Sequence, residues 1–360
     1  MITIIFPYRN REPARVKRSL DSLKGQTNSN FEVVFVDYGS NSVSASNIKD
    51  LVANYKFVKY IYNYSEFQPW SRAKAINIGL KNATTEYIFT ADVDMIFSPN
   101  FVCKLHELKN PFKGYYFKVG FLNEKESESD KKFQDFKIDF SSGVGAQGLS
   151  LFHLNSLKEV RGYDEFLHFW GAEDIDIHNR LEKNGVESVF YSEEILMLHQ
   201  WHTSYRKEEK KVLAKDLQLT YIIKINHQKL LANTKNKGVQ VNSINWGAGI
   251  CKNDFEILKK DKQEKIMLNK KEVVSHFLFC ELPNFEDNIL NISFMEDPFQ
   301  NSLKYKLKKI LGKKVPKYYT LKEINDLLLL HIISFYHTFP YLYEVSDELN
   351  SIRFKIKKSD

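Results

Sequence analysis

Short apolar runs alternate with amphipathic segments along the first part of the chain. Apolar runs at 2–6, 31–37 and 86–91 predict buried β-strands, and a further strand is predicted at 57–62. A helix is predicted from Pro13, with Val16, Leu20 and Leu23 on one face, and further helices are predicted at 44–54 and 71–83. Strands that alternate with helices predict an α/β fold with a mostly parallel sheet and flanking helices.

Polar side chains follow the predicted strands at the points where those strands end. Pro7, Tyr8 and Arg9 follow the first strand, Asp37 ends the second, and the segment 92–94 (Asp-Val-Asp) ends the fourth. In parallel α/β sheets, ligands bind beyond the carboxyl ends of the strands. The sequence therefore predicts a binding site that combines an arginine with several carboxylates at one edge of the sheet.

The acidic pair at 92–94 and two histidines further along the chain predict a metal site. Asp92 and Asp94 leave the same face of an extended chain, and their charges repel each other unless a cation lies nearby. His199 and His202 are spaced so that both could reach one ion. Alone, the acids could be a solvated strand end and the histidines a surface pair; together they favour a metal ion. Mixed oxygen and nitrogen ligands suit Mn²⁺ or Mg²⁺ better than a structural zinc ion.

A third polar cluster, Glu173-Asp174-Ile175-Asp176, lies at the start of a helix predicted over 173–183. Acidic residues at a helix start are common caps, which would explain one of the three acids. The density of acids indicates that one of them has a chemical role, such as accepting a proton from a hydroxyl group. A metal ion beside a spare carboxylate suits the transfer of a group away from a phosphate leaving group.

Three arginines are candidates for binding that phosphate. Arg9, Arg11 and Arg72 carry the positive charge nearest the predicted sheet edge. A guanidinium group binds phosphate through paired donors, although any one of the three could be an ordinary surface arginine.

Length and charge limit the class of protein further. The 360 residues predict two domains, a catalytic domain at 1–215 and a mainly helical accessory region at 216–360. The net charge of +7 suits a nucleotide-sugar, an anionic glycan or an anionic membrane, and without a nucleic-acid motif we expect no nucleic acid partner. Three cysteines without a CxxC pair indicate a reducing compartment. The chain shows no signal peptide and no apolar run of spanning length, so a cytoplasmic location is expected.

The accessory region contains one unusual segment. Residues 303–317 (LKYKLKKILGKKVPK) predict an amphipathic helix that is rich in lysine and free of acids. The helix either packs within a helical domain or docks at the inner face of an anionic membrane, near a lipid-linked acceptor. The apolar run at 327–343 is too short and too polar to span a bilayer. Residues 203–215, rich in charges, are predicted to form a lid over the site.

Four stretches resemble the GT-A glycosyltransferases, in particular the β-1,4-galactosyltransferases and related bacterial enzymes of family 2. They are IIFPYRNR (4–11), WSRAKAINIGL (70–80), TADVDMIFSPN (90–100) and GYDEFLHFWGAEDIDIHNRL (162–181), in the family's order and spacing. The resemblance covers roughly residues 1–205. It implies a GT-A domain, a UDP-sugar donor, and a Mn²⁺-dependent transfer that inverts the anomeric centre.

The resemblance also implies roles for individual residues. It implies nucleotide and diphosphate contacts for Pro7, Tyr8, Arg9, Arg11, Trp70 and Arg72, and it places Trp170 in the wall around the sugar. Asp37, Asp92 and Val93 are further candidates for donor binding because they lie at the ends of predicted strands. Asp174 is similar to the family's general base, and Glu173 to its sugar-contacting neighbour. Asp94 and His202 resemble metal ligands. His199 stands where the animal enzymes have a methionine ligand, which is a departure from their pattern.

The function expected from these observations is transfer of a hexose or N-acetylhexosamine, with galactose or N-acetylgalactosamine favoured. The sugar moves from UDP to a glycan or lipid-linked glycan acceptor, and the product is a β-linkage in a surface polysaccharide. Two alternatives remain at this point. The chain could be a subunit of a chondroitin-like glycan polymerase, or a catalytically inactive sugar-binding scaffold.

Overall fold

The computed structural model describes residues 1–203, 212–286 and 288–358, and these residues form two compact units. Unit 1 takes in residues 1–66, 70–207 and 223–249, and unit 2 takes in residues 67–69, 208–222 and 250–360. The predicted domain boundary at 215 falls in the segment after which the chain returns to unit 1 for residues 223–249. Most of the predicted lid lies outside the described residues.

Unit 1 is built on strands and helices that alternate along the chain. Its strands are β1 (Ile2–Tyr8), β2 (Phe31–Tyr38), β3 (Val58–Asn63), β4 (Tyr87–Thr90), β5 (Met95–Phe97), β6 (Lys113–Phe117), β7 (Gly120–Phe121), β8 (Phe140–Ser141), β9 (Ser150–His153), β10 (Glu187–Tyr191) and β11 (Met197–His199). Its helices are α1 (Pro13–Lys24), α2 (Ser42–Val52), α3 (Arg72–Asn82), α4 (Phe101–Glu107), α5 (Glu124–Ser127), α6 (Leu154–Glu159), α7 (Glu173–Lys183) and α8 (Ile222–Lys235).

Seven of these strands form the main sheet, in the order β10-β6-β9-β4-β1-β2-β3. The strands pair in parallel except at β9, which is antiparallel to both β4 and β6. Because β1, β2 and β4 are parallel neighbours, the residues that follow them meet at one edge of the sheet. That edge receives Arg9, Asp37 and Asp92.

The alternation of side chains along β1 and β2 explains why both faces of this sheet are covered. Ile4 and Phe6 point into one apolar cluster, which helices α1, α2 and α4 complete. Ile5 points to the opposite face, into a second cluster completed by α3, α6 and α7. Strands buried on both faces read as continuous apolar runs, which is why the sequence pattern revealed them.

Unit 1 also contains a smaller sheet of four strands in the order β5-β11-β7-β8. Its central strand, β11, pairs antiparallel with β5 and parallel with β7. These strands are two or three residues long, too short for the hydrophobic pattern to reveal.

Unit 2 combines helices with a four-stranded sheet in the order β12-β13-β15-β14. Its elements are α9 (Lys252–Lys260), β12 (Lys265–Leu268), α10 (Lys271–His276), β13 (Ile289–Met295), α11 (Leu303–Ile310), α12 (Leu321–Phe335), β14 (Tyr341–Val345) and β15 (Ser351–Lys357). The helix predicted over 303–317 ends early, because Gly312 adopts a left-handed backbone conformation with φ of 66°.

The predicted α/β fold with flanking helices is confirmed. The helices expected in the C-terminal region are present, together with the four-stranded sheet, which the sequence analysis did not predict. Within the described residues, none of the helices combines the length and the apolar character that crossing a bilayer requires.

Candidate active site

Strand pairing brings the acidic segment and the histidine segment together. His199, the last residue of β11, lies opposite Met95 of β5, so it is one position away from Asp94. The backbone N–H of Gln200 donates to the carbonyl of Asp94 at 3.0 Å. The side chain of Gln200 is fully buried, and its oxygen accepts a hydrogen bond from Arg18 at 2.8 Å. These bonds fix the chain between the two histidines.

Asp94, His199 and His202 form a compact group of three ligand side chains. One ligand atom from each lies within 4.8 Å of the other two. The Nε2 atom of His202 is 3.3 Å from one carboxylate oxygen of Asp94, and the Nε2 atom of His199 is 3.8 Å from the other. The structure thus brings together the three residues predicted as metal ligands.

The hydrogen bonds around this group leave lone pairs that a cation would satisfy. The Nδ1 atom of His202 donates to the carbonyl of Thr203 at 2.8 Å, so a neutral ring presents the Nε2 lone pair to Asp94. An imidazole lone pair and a carboxylate oxygen repel each other unless a proton or a metal ion lies between them. Among the described residues, the buried Oδ1 atom of Asp94 has no hydrogen-bond partner.

The electrostatics favour the charged carboxylate that metal binding requires. Burial alone would raise the pKa of Asp94, but the hydrogen bond from His202 and the charges of both histidines and Arg11 hold it at about 2. Burial lowers the pKa of His199, which favours the neutral imidazole. The hydrogen bond to Asp94 raises the pKa of His202 in the absence of metal. These residues fit a divalent cation with mixed ligands.

Arg72 connects the acidic segment to the acids of α7. Its Nε atom donates to Asp92 at 2.9 Å, one terminal nitrogen donates to Asp174 at 2.7 Å, and the other donates to the carbonyl of Gly148 at 2.9 Å. Arg72 is the first residue of α3, and the preceding Ser71 caps that helix through a bond from the Lys74 N–H. Burial would lower the pKa of Arg72, but Asp174 and Asp92 raise it well above its usual value.

Glu173 and Asp174 begin α7, where the helix dipole favours negative charge. Burial first, and then the charge of Asp174, raises the pKa of Glu173 to about 7. Burial also raises the pKa of Asp174, against the opposing effect of Arg72. A carboxylate whose basicity is raised in this way is suited to accept a proton.

The backbone before α7 is held in an unusual conformation. Phe169, Gly171 and Ala172 all have positive φ, which presents Trp170 to solvent with 39% of its surface exposed. The side-chain amide of Asn226, in α8, donates to the carbonyl of Trp170 at 3.1 Å and also to the carbonyl of His168. Helix α8 therefore supports the loop that carries Trp170.

Several of these groups line one cavity of about 530 Å³. They are the acids Asp92, Glu173 and Asp174, together with His199 and Trp170. The glycine-rich loop at 145–149 forms another part of the wall, and α8 contributes Ile223, His227 and Leu230. The cavity thus holds one candidate metal ligand, three carboxylates and an aromatic side chain within one concave surface, the usual setting for a small-molecule site.

Arg9, one of the predicted nucleotide contacts, binds backbone oxygens of its own unit. Its guanidinium donates to the carbonyl of Tyr38 at 2.5 Å and to the carbonyl of Ser65, and it lies 5.1 Å from the ring of Tyr38 and 5.9 Å from that of Trp70. Arg9 thus holds together the backbone that follows β2 and β3. Pro7 and Tyr8 are buried in β1.

The remaining predicted nucleotide contacts differ in accessibility. Arg11 is exposed, and its charge acts on Asp94 and both histidines. Asp37 is fully buried, and its carboxylate accepts from the Ser40 N–H at 2.8 Å and from the Tyr60 hydroxyl at 2.9 Å. Val93 is buried between the two acids. Trp70 is half-buried, with its ring edge against Tyr38 at 5.8 Å.

The third acid of the cluster has a structural contact. Asp176 is buried and accepts a hydrogen bond from Arg180 at 2.7 Å and another from Asn233 at 2.7 Å. It faces away from the cavity that Glu173 and Asp174 line. The spacing between Asp176 and Arg180, four residues on one helix, was visible in the sequence, and it marks an ion pair.

Other site residues were missed because their role depends on contacts distant in sequence. Gly148 accepts from Arg72, and a Cβ atom at this position would lie 3.0 Å from Asp174, so a side chain there would crowd the acid. Gln200 and Asn226 act through hydrogen bonds to backbone carbonyls. The glycine-rich sequence at 141–148 was the one signal available beforehand.

The comparisons with known families agree with this geometry. Residues 3–153 match the model described as glycosyl transferase family 2. Residues 128–203 match the model described as the N-terminal domain of galactosyltransferase. The two matches overlap over residues 128–153 and together take in the acidic segment, the acids of α7 and both histidines.

Several solved structures are also similar. One is the mannosyltransferase PcManGT from Pyrobaculum calidifontis, in complex with GDP-Man and Mn²⁺, with 19% identity, a TM-score of 0.41, and coverage of 55% of this chain and 56% of that chain. Another is GalNAc-T7 with UDP, GalNAc and Mn²⁺, with 14% identity, a TM-score of 0.48, and coverage of 64% and 48%. A third is residues 1–349 of S. aureus TarS with UDP-GlcNAc, with 13% identity, a TM-score of 0.46, and coverage of 96% and 94%.

The alignments thus span about half the length of PcManGT and GalNAc-T7. The family matches, the seven-stranded sheet and the cluster at its edge bear out the resemblance found in the sequence. Residues 3–203 therefore make up a glycosyltransferase domain that is similar to family 2 across residues 3–153 and to the galactosyltransferase family across residues 128–203.

Proposed function

We propose that the protein is an inverting, Mn²⁺-dependent glycosyltransferase that moves a hexose or N-acetylhexosamine from a UDP-sugar to a glycan acceptor. The observation that carries this proposal is the single cavity shared by His199 of the ligand group and by Glu173 and Asp174. Galactose or N-acetylgalactosamine is the favoured sugar, and the product is a β-linkage within a surface polysaccharide. The match to a galactosyltransferase model supports this choice of donor.

Asp94, His199 and His202 would hold the metal ion, with the unpaired Oδ1 atom of Asp94 as one ligand. When bound, Mn²⁺ supplies positive charge that stabilises a diphosphate leaving group. Arg72 and Arg11 add fixed positive charge near the same place, which supports the same charge stabilisation. Arg72 can exchange its carboxylate partners for phosphate oxygens, since guanidinium binds both by paired donors.

Asp174 is proposed as the general base that takes the proton of the acceptor hydroxyl. Its raised pKa and its place on the cavity wall support this role. Attack from the face opposite the UDP group would convert an α-linked donor into a β-linked product. Glu173 would accept a hydrogen bond from the donor sugar, and the exposed indole of Trp170 offers a face on which a sugar ring can stack.

We propose the identity of the nucleotide and of the acceptor from the chemistry of the side chains at the site. A UDP-sugar is proposed because the half-buried Trp70 offers an aromatic side chain for uridine, and Arg72 offers donors for the diphosphate. The acceptor is a glycan, free or lipid-linked, and polysaccharide assembly on the cytoplasmic side of a membrane is the setting that we propose.

A UDP-release assay across a panel of UDP-sugars, with Mn²⁺ or with EDTA, tests this function. We expect release with one donor in Mn²⁺, with a loss of about a hundredfold or more in Asp174→Asn. The acid Asp135, exposed at the end of a short 3₁₀ helix, gives a matched control through Asp135→Asn, which should retain activity. Release with wild type and Asp174→Asn alike would refute the assignment of the base.

The same assay distinguishes the proposed transferase from the two alternatives, an inactive scaffold and a polymerase subunit. Donor binding without release, even with a glycan acceptor supplied, would favour the inactive scaffold. Release of two different sugars into one alternating product would favour the polymerase subunit. A single product with one added sugar supports the transferase.

A further inference from the structure

Helix α11 presents its apolar side chains to solvent. The exposed fractions are 78% for Leu303, 58% for Leu307, 81% for Ile310 and 67% for Leu311, just past the helix. At about 3.6 residues per turn, these four positions form one stripe. A surface helix normally turns such a stripe inward, so its outward orientation needs an explanation.

The opposite face of α11 carries the contacts that hold the helix in unit 2. The ring of Tyr305 lies 5.7 Å from that of Phe299 and 5.6 Å from that of Tyr318. The Tyr305 hydroxyl donates to the carbonyl of Pro316 at 3.2 Å. Since Tyr305 lies on the other side of the helix from the apolar stripe, this anchoring fixes the stripe in its outward orientation.

The same segment carries a dense positive charge without acids. Residues 303–317 contain seven lysines and no aspartate or glutamate. These lysines are Lys304, Lys306, Lys308, Lys309, Lys313, Lys314 and Lys317. In the part of the chain that the structure describes, no carboxylate forms an ion pair with any of the seven. Their charge is therefore available to an external anion.

An open cavity of about 560 Å³ lies beside the helix and extends this positive surface. Lys271, Lys309 and Lys317 line it, together with Gln300 and Tyr305. Three ammonium groups at one cavity are suited to an anionic group such as a phosphate. The cavity therefore adds positive charge on the Tyr305 side of the helix.

We propose that residues 303–317 dock the protein onto an anionic lipid bilayer. The apolar stripe enters the boundary of the acyl chains, while the lysines beside it contact lipid phosphates. A bilayer is favoured because it offers apolar surface and negative charge together. A second copy of this chain would bring seven lysines against seven lysines, which repel each other. This docking goes beyond the proposed transfer reaction, whose residues all lie in unit 1.

Flotation of the full chain with vesicles tests the proposal. We expect binding to phosphatidylcholine vesicles that contain phosphatidylglycerol, little binding to pure phosphatidylcholine, and weaker binding at high salt. Lys306→Gln with Lys313→Gln should weaken binding by roughly thirtyfold, at about fivefold per lysine. Leu307→Asp with Ile310→Asp should abolish insertion. Far-UV circular dichroism and thermal unfolding of these variants should match those of wild type, which shows that unit 2 keeps its fold.

Two control variants remove lysines and an apolar side chain outside residues 303–317. Lys260→Gln with Lys262→Gln neutralises two exposed lysines of unit 2, and Ile244→Asp changes an apolar residue that is 72% exposed. Both should bind vesicles like wild type. Equal binding to neutral vesicles, binding unaffected by the α11 variants, or no binding at all would overturn the proposal. A dimer that Ile310→Asp dissociates, without lipid binding, would assign the stripe to a second copy instead.

Discussion

The buried carboxyl of Glu173 makes the stability of the metal-free protein depend on pH in a predictable direction. Glu173 is 8% exposed, and burial followed by the charge of Asp174 raises its pKa from 4.5 to about 7. Between these values the folded state binds the proton more tightly than the unfolded state, so stability falls as pH rises through this interval. At roughly 1.4 kcal/mol per unit, the interval corresponds to about 3 kcal/mol of unfolding free energy.

Glu173→Gln tests this reasoning because the amide keeps the shape of the protonated acid and cannot ionise. Near about pH 5, wild type and variant should unfold with similar free energies. Near about pH 8, where wild type carries a buried charge, the variant should gain up to ~3 kcal/mol relative to wild type. Asp174 titrates together with Glu173, so the difference between the two curves reports Glu173 and its coupling to Asp174.

The assay is urea unfolding in EDTA, followed by tryptophan fluorescence. All four tryptophans belong to unit 1, so the signal reports the unit that contains Glu173. Glu182→Gln, on an exposed position of the same helix, is the matched control and should follow the wild-type curve. Parallel pH curves for wild type and Glu173→Gln would refute the claim that this carboxyl is protonated in the folded protein near neutral pH.

Three further perturbations test the rest of the site. Asp94→Asn or His202→Gln should weaken Mn²⁺ binding by more than about tenfold in calorimetry, whereas His276→Gln, in unit 2, should not. Gly148→Ala places a Cβ atom 3.0 Å from Asp174 and should lower kcat by about tenfold. The control Gly145→Ala, whose Cβ atom meets no described atom within 4 Å, should retain the wild-type kcat. Equal kcat values for the two variants would contradict the crowding of Asp174. Asp176→Asn leaves the buried Arg180 without its counter-charge and should cost ~3–5 kcal/mol of unfolding free energy; a loss under about 1 kcal/mol would argue against the buried pair.

Much of unit 1 was predictable because its strands are buried on both faces. The run 31–37 became β2 (Phe31–Tyr38), and the segment 71–83 became α3 (Arg72–Asn82). The helix predicted over 173–183 has the observed bounds. Each of these patterns was long enough, or was bounded clearly enough by a capping residue such as Ser71, that local interactions determine the secondary structure.

The elements that assemble the ligand group were not predictable in the same way. Strands β5 and β11 contain three residues each, and their pairing joins segments about a hundred positions apart. The ligands could be named from residue type and spacing, but their geometry depends on this pairing. The uses of Arg9 and Asp37 also follow from tertiary contacts, with Ser65 and Tyr60 respectively. A pattern along one chain carries no signal of such contacts.

The contacts of Arg72 link donor binding to the basicity of Asp174. Without a donor, its guanidinium neutralises Asp92 and Asp174 together, at 2.9 and 2.7 Å. Burial raises the pKa of Asp174, and Arg72 is the first of the opposing influences. A diphosphate that shares this guanidinium would weaken that opposition and leave Asp174 more basic. On the proposed function, the base thus becomes strongest when the leaving group is in place, which disfavours proton abstraction in the absence of donor.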